Sequence, residues 1–152
     1  MKWKLEQQEK KLDNLFDLVQ NVEDEEQQAI LSKFLCIRAS GFVESSIRNL
    51  IAEFTDGSAP KQIQSYVGKE TKYITNLRYD RLSKLLGTFD SSWKEELEEK
   101  ISEEQKSALN TIVSNRNNIA HGENDAISYS LMFNYYSRIK EVVEILKNIV
   151  RK

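Results

Sequence analysis

Residues that let a chain turn sharply are scarce in this sequence: 5 glycines and a single proline, Pro60, among 152 residues. Glycine supplies the positive-φ positions of tight turns, and proline supplies the pre-bent ones. A β-sandwich needs a turn signal about every ten residues, which so few residues cannot provide. Long helices joined by a handful of connections need far fewer. The scarcity therefore points to an all-α chain before any periodicity is examined.

The apolar spacing agrees, being helical almost throughout. Leu12, Leu15, Val19 and Val22 step by three and four, predicting a first helix over about residues 2–22. Asp24 followed by Gln27 resembles a capping box opening a long second helix. Its stripe continues through Val43, Ile47, Leu50 and Phe54 until Asp56-Gly57 is expected to stop it. Ser58-Ala59-Pro60 opens a short helix expected to close near Gly68. Thr75 is expected to cap the next, which holds Leu82, Leu85 and Leu86 and ends at Gly87. Ser91-Ser92-Trp93 starts a short acidic helix. Ser102-Glu103-Glu104-Gln105 is a capping box for a helix carrying Ala108, Leu109, Ile112, Val113 and Ile119. The last helix, with Met132, Tyr136, Ile139, Val143, Leu146 and Val150, is the most regular, and packing within the chain is its expected use. The result is an α-helical bundle, with two long helices early and a long one at the end, expected to form one domain over 1–152.

The single cysteine, Cys36, sits in the apolar run Phe34-Leu35-Cys36-Ile37. It reads as a small buried hydrophobe rather than a reactive thiol, which would need a polar, cationic setting. One cysteine and one histidine, His121, leave no ligand set for structural zinc, and no metal or cofactor is expected. Met1-Lys2-Trp3-Lys4-Leu5-Glu6 lacks the apolar centre of a signal peptide. No apolar run approaches the roughly 18 residues of a membrane span. A cytoplasmic protein with no membrane partner is the expectation.

Formal net charge is −2, but the charge is segregated. Residues 61–84 hold six basic side chains (Lys61, Lys69, Lys72, Arg78, Arg81 and Lys84) against two acidic ones, whereas residues 85–105 hold two basic and seven acidic. Such a chain can present a basic face despite an acidic total. Lys72, Arg78 and Arg81, with Tyr66, Tyr73 and Tyr79 nearby, are candidates for an RNA-binding rim with stacking platforms. Scattered solvated charge and core or interface tyrosines read equally well.

Chemistry collects in one place, Asn115-Arg116-Asn117-Asn118-Ile119-Ala120-His121-Gly122. Asparagine is a weak helix former because its side chain competes for the backbone. Three asparagines in four residues undercut a helix that Ser102 began well, and such local conflicts mark functional sites. Arg116, Asn117, Asn118 and His121 supply polar groups. Asn117 and His121, four apart, share a helix face. Arg116 and His121 are five apart and converge only if the last turn unwinds, which Gly122 would permit. An arginine gripping a phosphoryl oxygen beside a histidine that moves a proton is a minimal phosphodiester-cleaving set. RNA carries its own nucleophile, the 2′-OH, so no metal is required. The same residues also read as an ordinary helix end, with His121 as cap and Arg116 in a surface ion pair.

The run Arg116-Asn117-Asn118-Ile119-Ala120-His121-Gly122 resembles the Arg-polar-x-x-x-His signature of the HEPN superfamily. Phe89-Asp90-Ser91-Ser92-Trp93, the acidic helix after it, and Ile112-Val113-Ser114-Asn115 resemble the RiboL-PSP type. Ala39-Ser40-Gly41-Phe42-Val43-Glu44-Ser45-Ser46-Ile47 resembles that type's second helix. The resemblance covers about residues 25–150. It implies an α-helical bundle of four to five main helices plus short ones and, for many members, a metal-independent endoribonuclease, often a dimeric toxin or phage-defence effector. Carried over, Arg116 would bind the scissile phosphate, His121 would act as general base or acid, and Asn117 would orient one or the other. Glu44 and Asn118 are candidate supporting residues. A homodimer makes independent sense, because the reaction needs one proton removed and one delivered, and each chain owns one imidazole. Some HEPN toxins carry tyrosine two positions after the histidine, as the target of a nucleotidyltransferase antitoxin. Here that position is Glu123, which argues against that kind of partner while leaving another antitoxin or regulatory protein open. The alternative is a non-catalytic HEPN-type module that binds RNA or protein.

Overall fold

Seven helices and no strand form among the described residues, 3–123 and 127–151, of the computed structural model. They are α1 (Trp3–Gln20), α2 (Glu25–Ser58), α3 (Lys61–Thr71), α4 (Tyr79–Phe89), α5 (Ser91–Lys100), α6 (Glu103–Ala120) and α7 (Tyr129–Val150). The long helices α1, α2, α6 and α7 make the bundle. The α4–α5 hairpin lies against α6 and α7, and α3 packs on α2 alone among the helices. Lys2, where the first helix was expected to begin, lies outside the described residues.

Helix α2 is the spine. Its 34 residues span about 50 Å at 1.5 Å per residue. Leu35, Ala39, Phe42, Val43, Ile47, Leu50 and Ile51 form its buried stripe, each large apolar side chain contributing about 1.5–3 kcal/mol by leaving water. Cys36 is fully buried, its Sγ donating to the Ile112 carbonyl at 3.6 Å. Asp24 accepts from the Gln27 backbone N–H and caps the helix, which is one half of the expected box. Asp56-Gly57 does not end it. The helix runs to Ser58, and Ala59 turns extended (φ −128°, ψ 149°) because the residue before proline is pushed out of the helical region. Phe54 is 43% exposed rather than buried, and packs edge-on to Trp93.

Further on, α3 passes Gly68 and ends at Thr71, and α4 passes Gly87 and ends at Phe89. Thr75 caps no helix. Residues 72–78 form a connector in which Asn76 is left-handed, with φ +54°. Asparagine is one of the few side chains that tolerates this region. Helix α4 starts at Tyr79, whose N–H is accepted by Asn110 Oδ1 of α6 at 2.8 Å. The cap comes from another helix, which no local pattern announces.

Helix α7 fills the centre. Met132, Tyr136, Ile139, Val143, Leu146 and Val150 are all buried within the one chain. The Tyr136 ring stacks on Phe16 at 4.1 Å, and its hydroxyl donates to Asp13 at 2.6 Å. Burial, reinforced by that carboxylate, pushes the phenol far above its ordinary range. Tyr129 donates to the Phe16 carbonyl at 3.0 Å, and Lys140 and Lys147 pair with Asp13 and Glu6, so α7 is fastened to α1 along its length. At the helix end Arg151 grips Glu53 through Nε and Nη2 (3.0 and 3.1 Å) and reaches Glu6 at 2.6 Å.

Candidate functional site at the end of helix α6

Helix α6 opens with the expected capping box. Ser102 Oγ accepts from the Gln105 N–H, and the Ser102 N–H donates to Gln105 Oε1. Ala108, Leu109, Ile112 and Val113 anchor it in the core. Beyond Val113 no residue of the helix is buried. Ser114 to Ile119 are half-buried, and Ala120 and His121 are exposed. The weak helix formers thus occupy the turns that leave the core.

The helix keeps its form to the end. The His121 N–H donates to the Asn117 carbonyl, Gly122 N–H to Ile119 O, and Glu123 N–H to Asn118 O. This is the Schellman pattern, with Gly122 at φ +77° supplying the left-handed residue it needs. Gly122 therefore ends the helix rather than unwinding it, contrary to the sequence expectation. Arg116 and His121 stay about 140° apart around the axis. The imidazole projects into solvent from a backbone fixed on both sides. Arg116 Nη1 donates to Asn117 Oδ1 at 3.3 Å, so Asn117 holds the arginine while standing on the face of His121. Asn118 lies on the same last turns and is half-buried.

The other predicted site residues are placed differently. Glu44 Oε2 accepts from the Asn76 N–H at 3.1 Å. Arg48, expected to pair with Glu44 along the helix, instead donates to the Ile74 carbonyl at 3.1 Å. A carboxylate and a guanidinium that could have paired weakly on the helix surface each satisfy a backbone group of the strained connector. The connector in turn carries Arg78 to α6, where its Nη1 donates to Ser114 Oγ at 2.7 Å. Arg81 is exposed on the first turn of α4, and Lys72 lies 5.7 Å from the Tyr73 ring centre. Tyr66 and Tyr73 are exposed, whereas Tyr79 is half-buried beneath Lys106. Of the three basic candidates only Arg78 therefore joins the motif helix. Among the described residues no group of three or more His, Cys, Asp or Glu side chains is placed to hold a metal ion. No described helix is long and apolar enough to cross a membrane.

Sequence reasoning missed a groove of about 440 Å³ alongside α6, lined by Arg78, Lys106, Ser107, Asn110, Thr111 and Ser114, with Glu103 at one end. Its signal was present as small polar residues at helical spacing, 107, 111, 114, 118 and 121, a stripe that ends on the histidine.

An all-α bundle with an arginine, an amide and a histidine at the exposed end of its penultimate helix has the architecture and the signature of a HEPN-type domain. A family model described as RiboL-PSP-HEPN matches residues 4–152, and the chain belongs to that family. No curated protein and no solved structure matches it.

Proposed function

We propose that the chain is a metal-independent endoribonuclease working as a homodimer, with RNA as substrate. The observation that carries this reading is the end of α6, where Asn117 holds Arg116 and a rigid C-cap presents His121 to solvent. In the proposed reaction the 2′-OH attacks the adjacent phosphorus as one imidazole takes its proton. The P–O5′ bond breaks as the second histidine, entering as imidazolium, gives its proton to the leaving oxygen. The products are a 2′,3′-cyclic phosphate and a 5′-hydroxyl. Arg116 stabilises the charge that builds on the non-bridging oxygens. Histidine suits both proton transfers because its ordinary pKa lies near neutrality. Since Arg116 and His121 point to different faces of one helix, a two-fold interface bringing two copies of α6 together supplies the convergence that one chain lacks. A cytoplasmic toxin or phage-defence effector, restrained by an antitoxin or regulatory protein, is the matching role.

The test is RNA cleavage in EDTA by the wild type beside His121→Ala and Arg116→Ala, with oligomeric state read by light scattering. Cleavage by a dimer, lost in both variants, is expected. An inert wild type, or equal cutting by the variants, would sink the enzyme reading. The open, solvent-facing placement of His121 favours one rival, a non-catalytic HEPN-type module, which tight RNA binding without cleavage would select.

A further inference from the structure

We infer that the groove beside α6 is a strand-binding subsite, in which Ser107, Asn110 and Thr111 contact ribose hydroxyls and Arg78 holds a phosphate of single-stranded RNA leading to His121. The inference rests on the RNA reading above and adds the path of the strand.

The first support is a set of uncommitted polar groups. Helical serine and threonine hydroxyls can fold back onto the preceding turn, as Ser32, Ser58, Thr71, Thr88 and Ser137 do here. The hydroxyls of Ser107 and Thr111 have no partner among the described residues, and Ser114 Oγ receives Arg78 without donating to a backbone carbonyl. Asn110 lines the same concavity, with its Oδ1 accepting from the Tyr79 N–H. Hydroxyls and an amide in a row match sugar and phosphate oxygens, and the 2′-OH, both donor and acceptor, distinguishes RNA from DNA.

The second support is the charge layout. Arg78 donates once, to Ser114, and a guanidinium carries five N–H donors. At the opposite end Glu103 pairs with Lys106 at 3.1 Å. A phosphate is therefore favoured at the Arg78 end and disfavoured at the Glu103 end, which gives the groove a direction. Seven residues separate Ser114 from His121, about 10 Å along the helix, so the Arg78 end faces the motif.

The third support is rigidity. Glu44 and Arg48 hold the connector, and Asn110 caps α4. Arg78 is thus positioned before any ligand arrives, which lowers the ordering cost of binding.

The test measures binding of a labelled single-stranded RNA, and of DNA of the same sequence, to the full chain carrying His121→Ala. The parent is expected to prefer RNA. Ser107→Ala with Thr111→Val should cut that preference about 3- to 10-fold. Arg78→Ala should weaken both ligands alike and lower the salt slope by about one, and Arg78→Lys should recover most of the loss. Lys10→Ala, which removes an exposed charge from α1, should change nothing. Circular dichroism confirms that each variant is folded. If the parent binds RNA and the groove variants match it, or if Lys10→Ala costs as much as Arg78→Ala, the groove is overturned while the nuclease reading stands. If the parent binds no RNA and the wild type cuts none, both fall. Variants that impair only a protein contact and leave RNA affinity intact also overturn the inference.

Discussion

Helices α6 and α7 begin alike and end differently. Each has a serine cap accepting from the backbone three residues on, Ser102 from Gln105 and Ser128 from Leu131. Helix α7 then buries side chains along its whole length and closes on the Arg151 ion pairs. Helix α6 buries only Ala108, Leu109, Ile112 and Val113 and closes on polar groups facing solvent. The difference separates side chains that hold the fold from side chains that a fold can present. The core half of α6 serves as a root, and that root lets its second half carry weak helix formers without melting.

The contrast is open to breaking by mutation, and the largest effects are expected on chemistry. His121→Ala and Arg116→Ala should each lower RNA cleavage at least about 100-fold with the melting temperature unmoved. A matching fall in melting temperature would make this end of α6 structural after all. Next in size is packing. Ile139→Ala, in the fully buried stripe of α7, should cost about 2–5 kcal/mol in urea denaturation. Ile119→Ala, only partly buried near the end of α6, should cost clearly less. Equal losses would erase the distinction between the two helices.

A smaller effect sits at the α6 terminus. Gly122→Ala meets no atom within 4 Å of the added Cβ, so its cost is the left-handed backbone alone, about 1–2 kcal/mol. Because the substitution loosens the C-cap that presents His121, cleavage should fall more than the stability loss suggests. A variant with wild-type turnover would detach the cap from the site.

The smallest effect concerns acid. The hydrogen bond from Arg151, chiefly, holds the Glu6 carboxyl at about 2 against its usual 4.5. A carboxyl depressed in the folded state adds stability that is complete above its unfolded value and is lost as pH falls through the folded one. The fall in melting temperature between pH 4.5 and 2 should therefore be shallower in Glu6→Gln. Glu6 is nearly half exposed, so solvent screening keeps the difference slight. A steeper fall in the variant would reverse the assignment.

What the sequence made legible follows the range of the interactions involved. The α7 stripe and the Ser102 box are patterns within a few residues and form as read, and Asp24 supplies its half of the expected box. The motif at 116–121 is equally local, but the intact helix leaves Arg116 and His121 on different faces. Misreadings arose where the decisive partner was distant. Glu44 and Arg48 look like a helix pair, yet each is taken by a backbone group some thirty residues away. Thr75 looks like a cap, yet Asn110 of α6 does that work for α4. Gly57 looks like a stop, but a helix tolerates glycine until Pro60 forces Ala59 extended. The α6 groove escaped notice because small polar residues on a helix ordinarily signal nothing but a wet surface.

The ion pair between Glu6 and Arg151 has a practical consequence for engineering. It brings the first turns of α1 and the end of α7 to the same corner of the bundle. A short linker joining the two should give a circular permutant that keeps the core intact. New ends could then be opened elsewhere, so the order in which the helices are synthesised becomes a free variable while their arrangement in space stays the same.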